Sequence, residues 1–141
     1  MYRILTVLLL LTTTSATVFQ DCGSVGSPVT VDIEDCELPP CVLSRGHLAN
    51  ATVQYTASRA SETLKIEATA QIGNVDVPWP GIDTDGCQET TCPISAGTHV
   101  TWSTSIYIER EYPAISTVAT FKLLNSASEP EVCFLIPIIL V

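Results

Sequence analysis

Few side chains in this chain could do chemistry, and their spacing narrows what that chemistry is. His47 and His99 are the only histidines, and neither has a nucleophile at a recognisable spacing. No Gly-x-Ser-x-Gly elbow, His-Glu-x-x-His pair or glycine-rich phosphate loop occurs. No catalytic residue is assigned, and a non-enzymatic protein is expected. The stretch Asp83-Thr84-Asp85-Gly86 begins like a calcium loop but lacks the later ligand positions and the closing Glu, so it reads as a tight turn. Six cysteines, at 22, 36, 41, 87, 92 and 133, are the one set with a clear chemical reading. A zinc site fits them poorly, because each close pair encloses four residues and only two histidines are available. No metal and no cofactor are expected.

The cysteines follow an N-terminal stretch, MYRILTVLLLLTTTSAT, that carries one positive charge at Arg3, a largely apolar run from Ile4 to Leu11 and small residues ending near Ala16. That pattern is a secretory signal peptide, residues 1–16, and is too short to span a bilayer. In an oxidising compartment the cysteines read as three disulfides. Fifteen pairings are formally possible. Spacing suggests Cys36 with Cys41 and Cys87 with Cys92 as local loops, leaving Cys22 for Cys133 and tying the ends of one domain, 17–141. Asn50-Ala51-Thr52 is a sequon for N-glycosylation at Asn50. Loss of Arg3 leaves five Lys/Arg against fifteen Asp/Glu, moving the formal charge from −9 to −10. Nucleic acid is thereby disfavoured as a partner, because phosphate neutralisation needs clustered cations.

The elements that would position functional side chains are strands. Val29, Val31 and Ile33 alternate with polar residues, as do Ala49, Ala51, Val53 and Tyr55, placing Asn50 on the opposite, outer face. Alternation recurs over Leu64 to Ile72, Val100 to Ile108 and Ile115 to Leu123. The last run, Val132 to Val141, reads as a buried strand with Pro137 at a bulge or edge. Trp79 lies between Pro78 and Pro80, which fix the backbone and hold Val77 to Gly81 extended. About seven short strands without a 3.6-residue period, separated by turn signals, predict an all-β sandwich. The predicted inner faces are small at Ala49-Ala51, Ala68-Ala70 and Thr117-Ala119. Such a sandwich either packs its sheets closely or holds something in an apolar cavity between them.

The segments FQDCGSV, CVLSRG, VPWPGIDTDGC with TCPI, and EYPAIS closely resemble the Niemann-Pick type C2 proteins and the mite group 2 allergens of the lipid-recognition (ML) domain family. The resemblance covers residues 17–141 in order, with all six cysteines. It implies an immunoglobulin-like sandwich of two antiparallel sheets that part to hold a sterol or other small lipid, with bridges Cys22–Cys133, Cys36–Cys41 and Cys87–Cys92. It further implies a pocket mouth at Trp79, Ile108 and Tyr112, deeper walls at Ile33, Ala51, Val53, Ile106, Ala119 and Phe121, and an aromatic at Phe134. The departures are Ala49 where vertebrate sterol carriers have an aromatic and Phe121 where they have Trp. The function so implied is a secreted monomeric carrier of a sterol or fatty-acid-like lipid, acting outside cells or in the endosome–lysosome lumen. It would deliver that lipid by transient contact with membranes or acceptor proteins. The rival readings are an innate-immune receptor for lipid or lipopolysaccharide, which would want cations at the mouth, and a dry adhesion or structural sandwich.

Overall fold

A computed structural model describes residues 16–141, so the expected signal peptide falls outside the described residues except for Ala16. Nine strands follow in order: β1 (Gln20–Asp21), β2 (Thr30–Ile33), β3 (Cys41–Leu43), β4 (Leu48–Thr56), β5 (Lys65–Ile72), β6 (Val75–Pro78), β7 (His99–Tyr107), β8 (Ser116–Leu124) and β9 (Pro130–Leu140). A single 3₁₀ turn covers Gly86–Gln88. One sheet has the order β1-β9-β8-β5-β6, with β3 added to β9 in parallel; the other is β2-β4-β7. Every other pairing between strands is antiparallel.

Nine strands rather than about seven are present because β1 and β3 are two and three residues long, too short for alternation to register. Both pair with the same side of β9: β1 at Phe134 and Leu135, β3 at Ile138 to Leu140. Pro137 was expected at a bulge or sheet edge, and the structure corrects this. The irregularity is at Leu123/Leu124, and β9 is an interior strand. Proline is tolerated there because residue 137 falls in the gap between β1 and β3, where no ladder partner exists on that side.

The register divides the interior into two halves. In one, Val31 opposes Val53, which opposes Trp102, while Ile66, Leu123 and Val132 align in the facing sheet. These residues are all buried. Beside them Glu131 is buried and its carboxylate accepts from Ser58 N (3.1 Å), Ser58 Oγ (2.8 Å) and Asn125 Nδ2 (3.0 Å), which satisfies a group otherwise costly to desolvate. Only glycine fits at 26, since a Cβ there would stand 2.8 Å from the Glu131 carbonyl oxygen and 3.0 Å from the Tyr55 ring. Burial, then the Glu131 charge, push the Tyr55 hydroxyl well above its ordinary pKa.

The other half is built of small residues. Ala70 pairs with Ala119, which pairs with Ile136; in the facing sheet Ile33 pairs with Ala51, which pairs with Thr104, and Ala49 pairs with Ile106. Three disulfides, Cys22–Cys133, Cys36–Cys41 and Cys87–Cys92, staple the chain, and no cysteine is free. They fit an oxidising compartment.

Candidate functional site: two apolar voids divided by Trp79

In the small-residue half the sheets do not meet. An inner cavity of about 40 Å³ is walled by apolar side chains including Ile33, Ala51, Ile106, Ile108, Ala119 and Phe121. A void of that size has room for a couple of methyl groups, and its apolar lining keeps it dry. A second hollow of about 390 Å³ opens outward, lined by Ile72, Val77, Pro78, Pro80, Tyr112, Pro113, Ile115 and Leu140 among others. Trp79 and Ile138 line both. The indole therefore stands between a small inner apolar chamber and a larger apolar hollow reaching solvent.

The local chain explains how the partition is held. β6 is the edge strand of its sheet and ends at Pro78; Trp79 N then donates to Ala68 O at 2.9 Å, extending the ladder by one bond before Pro80 stops it. The ring packs on Phe121 with centroids 6.3 Å apart, Phe121 stacks on Phe134 at 5.2 Å, and Phe134 meets Phe19 edge-on at 5.9 Å. This row of four aromatics backs the inner chamber. Phe19 was not anticipated, because it precedes a two-residue strand that carries no period.

The expected mouth trio is only partly brought together. Trp79 and Tyr112 share the outer hollow, and the Tyr112 hydroxyl donates to the Pro80 carbonyl at 3.5 Å. Ile108 lies inside, 1% exposed, on the wall of the inner chamber and not of the outer hollow, and it also borders a surface cleft of about 210 Å³ beside Glu34, Ser44 and His47. The reason is local: β7 stops at Tyr107, and Ile108 is drawn in by two backbone bonds, its N–H to His47 O (2.9 Å) and Gly46 N–H to its carbonyl (2.5 Å). Of the deeper set, Ile33, Ala51, Ile106, Ala119 and Phe121 line the inner chamber, whereas Val53 and Phe134 are buried in the packing behind it. Side chains not anticipated by number are Leu43 and Ile136 in the chamber and Ile115 and Leu140 in the hollow. The parity of their strands was the available signal.

The electrostatics are sparse. No charged residue lines either void. Burial pushes the Tyr112 hydroxyl up, the Glu109 charge adds to this, and the Trp79 indole N–H facing it works the other way. Trp79 Nε1 is itself buried without closing a hydrogen bond. Arg45 donates to the Tyr112 carbonyl at 3.0 Å, behind the rim and outside the hollow. Asp83 and Asp85 accept from Asp85 N (2.9 Å) and Cys87 N (3.0 Å), closing tight turns, and no cluster of three metal-ligating side chains is present among the described residues.

Residues 16–140 match the family model described as the ML domain. The chain belongs to the ML-domain family. It is 34% identical over 143 residues to the NPC intracellular cholesterol transporter 2 of Danio rerio, covering 97% of this chain and 96% of that one. It is 33% identical over 106 residues to the mite group 2 allergen Tyr p 2 of Tyrophagus putrescentiae, covering 75% and 73%. In fold it matches the crystal structure of a Niemann-Pick type C2 protein from the Japanese carpenter ant, with a TM-score of 0.78 at 22% identity over 88% of this chain and 99% of that chain. This ML-domain chain thus shares the sandwich fold of that protein.

Proposed function

We propose that this chain is a secreted, non-enzymatic carrier that binds one small apolar lipid, a sterol or a fatty-acid-like molecule, between its sheets and passes it to a membrane or an acceptor protein. The observation that carries the reading is the pair of apolar voids that share the Trp79 wall. The inner chamber alone is too small for any lipid, and the outer hollow alone would leave a lipid half in water. Rotation of Trp79 joins them into a continuous apolar site within the size range of small-molecule pockets. The relatives named as cholesterol transporters support the same reading.

The driving force is transfer out of water, at about 25 cal/mol per Å² of apolar area. A lipid burying a few hundred Å² gains several kcal/mol before ordering costs. Exposed Ile72, Val75 and Val77 at the β5–β6 hairpin stand beside the outer hollow, giving it an apolar apron for contact with a membrane or acceptor. A phosphorylated glycolipid is disfavoured, because neither void offers a cation. The test is an organic-solvent extract of protein purified from a secreting host, read by mass spectrometry, followed by titration of the stripped protein with a fluorescent sterol and a fluorescent fatty acid. Co-purified lipid and saturable one-to-one binding are expected. A stripped protein that binds neither probe would sink the carrier reading.

A further inference from the structure

We infer that Asn50 carries an N-linked glycan whose first sugar sits in a polar hollow across β7 and covers that strand's free edge. The hollow measures about 430 Å³. Its walls include Thr52, Ser103 and Ser105 from β4 and β7, and Asp83 and Glu89 from the segment after β6. Hydroxyls that both donate and accept, facing carboxylates that accept, suit the alternating donors and acceptors of a sugar ring.

Asn50 is exposed on the outer face of β4, and its amide is already oriented. Nδ2 donates to Glu34 Oε2 (2.5 Å), and Oδ1 accepts from Ser105 Oγ (2.5 Å). That clamp uses one of the two Nδ2 hydrogens and leaves the other position for a glycosidic bond. The transfer needs a polyprenyl-diphosphate oligosaccharide as donor. The bond between sugar C1 and the diphosphate oxygen breaks, C1–Nδ2 forms, polyprenyl diphosphate leaves, and Nδ2 gives up one proton.

The sugar would meet a structural need. β7 is an edge strand, and its backbone groups turned away from β4 have no partner among the described residues between His99 and Tyr107. Exposed edges invite pairing with other chains and are usually blunted by charge, proline or a cover. The middle of β7, Trp102-Ser103-Thr104-Ser105-Ile106, contains no charge and no proline. A sugar in the hollow supplies the cover and also bridges β7 to the segment holding Asp83 and Glu89. The inference is independent of the lipid and asks only for passage through the secretory pathway.

The experiment uses the full chain secreted from a eukaryotic host, as the native glycoform, as the form trimmed by an endoglycosidase to a single N-acetylglucosamine, and as Thr52→Ala, which removes the sequon but keeps Asn50 and its clamp. Intact mass and hydrogen exchange over residues 81–89 and 99–107 are read in each. The expected result is a glycan mass at Asn50 in wild type that is absent in Thr52→Ala, with exchange in both segments about tenfold faster in the variant and unchanged in the single-sugar form. A wild type without glycan mass overturns the inference. So does a single-sugar form that exchanges faster than the native glycoform, or matching exchange in wild type and Thr52→Ala.

Discussion

Filling the inner chamber should make the protein more stable and a worse lipid binder. Ala119 is fully buried on β8 with its side chain on the chamber wall, and Ala119→Val adds two methyl groups facing a void of about 40 Å³. At about 24 cal/mol per Å³, removing that void is worth about 1 kcal/mol, and valine suits a strand better than alanine. The stripped protein should therefore gain about 1 kcal/mol in urea denaturation, seen as a higher midpoint with an unchanged slope. The bound state meets the opposite effect, because a lipid tail using the chamber now collides with the added methyls. Overpacking costs about 1–3 kcal/mol, so affinity should fall about five- to hundredfold in a fluorescent-lipid titration. Opposite signs in the two assays identify a void kept for a ligand. If Ala119→Val destabilises the stripped protein and binds lipid as before, the chamber is ordinary imperfect packing and the two voids do not form one site.

The other predictions concern the partition, the chamber wall and the acidic segment after β6. Trp79→Ala removes the aromatic wall common to both voids, so stopped-flow displacement should show lipid leaving about tenfold faster or more; an unchanged release rate would show that the ring does not gate the site. Ile108→Asp puts a carboxylate at a position 1% exposed on the apolar chamber wall, and should cost several kcal/mol; a variant melting like wild type would mean the residue is hydrated at a mouth after all. Burial first, then the charge of Asp83, raise the Glu89 carboxyl, with the Trp102 indole N–H opposing. A raised carboxyl favours folding when protonated, so its contribution is complete below the unfolded pKa and is lost as pH rises through the folded one. Glu89→Gln should thus raise the melting temperature at pH 7 relative to wild type and leave it nearly unchanged near pH 4, and the reverse pattern would refute the sign.

The all-β architecture was legible because five strands are long enough for period-two alternation, and because small residues fall at corresponding inner positions of β4, β5 and β8. Their parity also put Asn50 outside and Ala51 inside. β1 and β3 were invisible, since two or three residues cannot display a period, and with them went Phe19 and Leu43. Ile108 was misplaced for a different reason. Its apolar parity is correct, but parity says only which face a residue is on, not how far along the strand the void extends or where the strand stops. Trp79 could be read as rigidly held from its two prolines. That it divides two voids depends on β5, β8, β9 and the Tyr112 turn arriving together, which spacing along the chain does not encode.

The positions of the disulfides decide which side of the sandwich can part. Cys22–Cys133 joins two segments of the larger sheet, and Cys87–Cys92 closes a loop on itself. Only Cys36–Cys41 connects the end of β2, in one sheet, to the start of β3, in the other. That bridge sits beyond β9, at the opposite edge of the larger sheet from β6 and Trp79. On the Trp79 side no disulfide joins the sheets, and the contacts there are non-covalent: a long hydroxyl bond from Tyr112 to Pro80, and Glu89 facing Trp102. A bridge closing a loop of over a hundred residues stabilises by about 4–5 kcal/mol on the chain-entropy model, several times the about 1 kcal/mol cost of the empty chamber. The fold can therefore leave its core underfilled without depending on contacts that a ligand must break. On the proposed function, the Trp79 edge, opposite the stapled one, is where the sheets would part to admit a lipid.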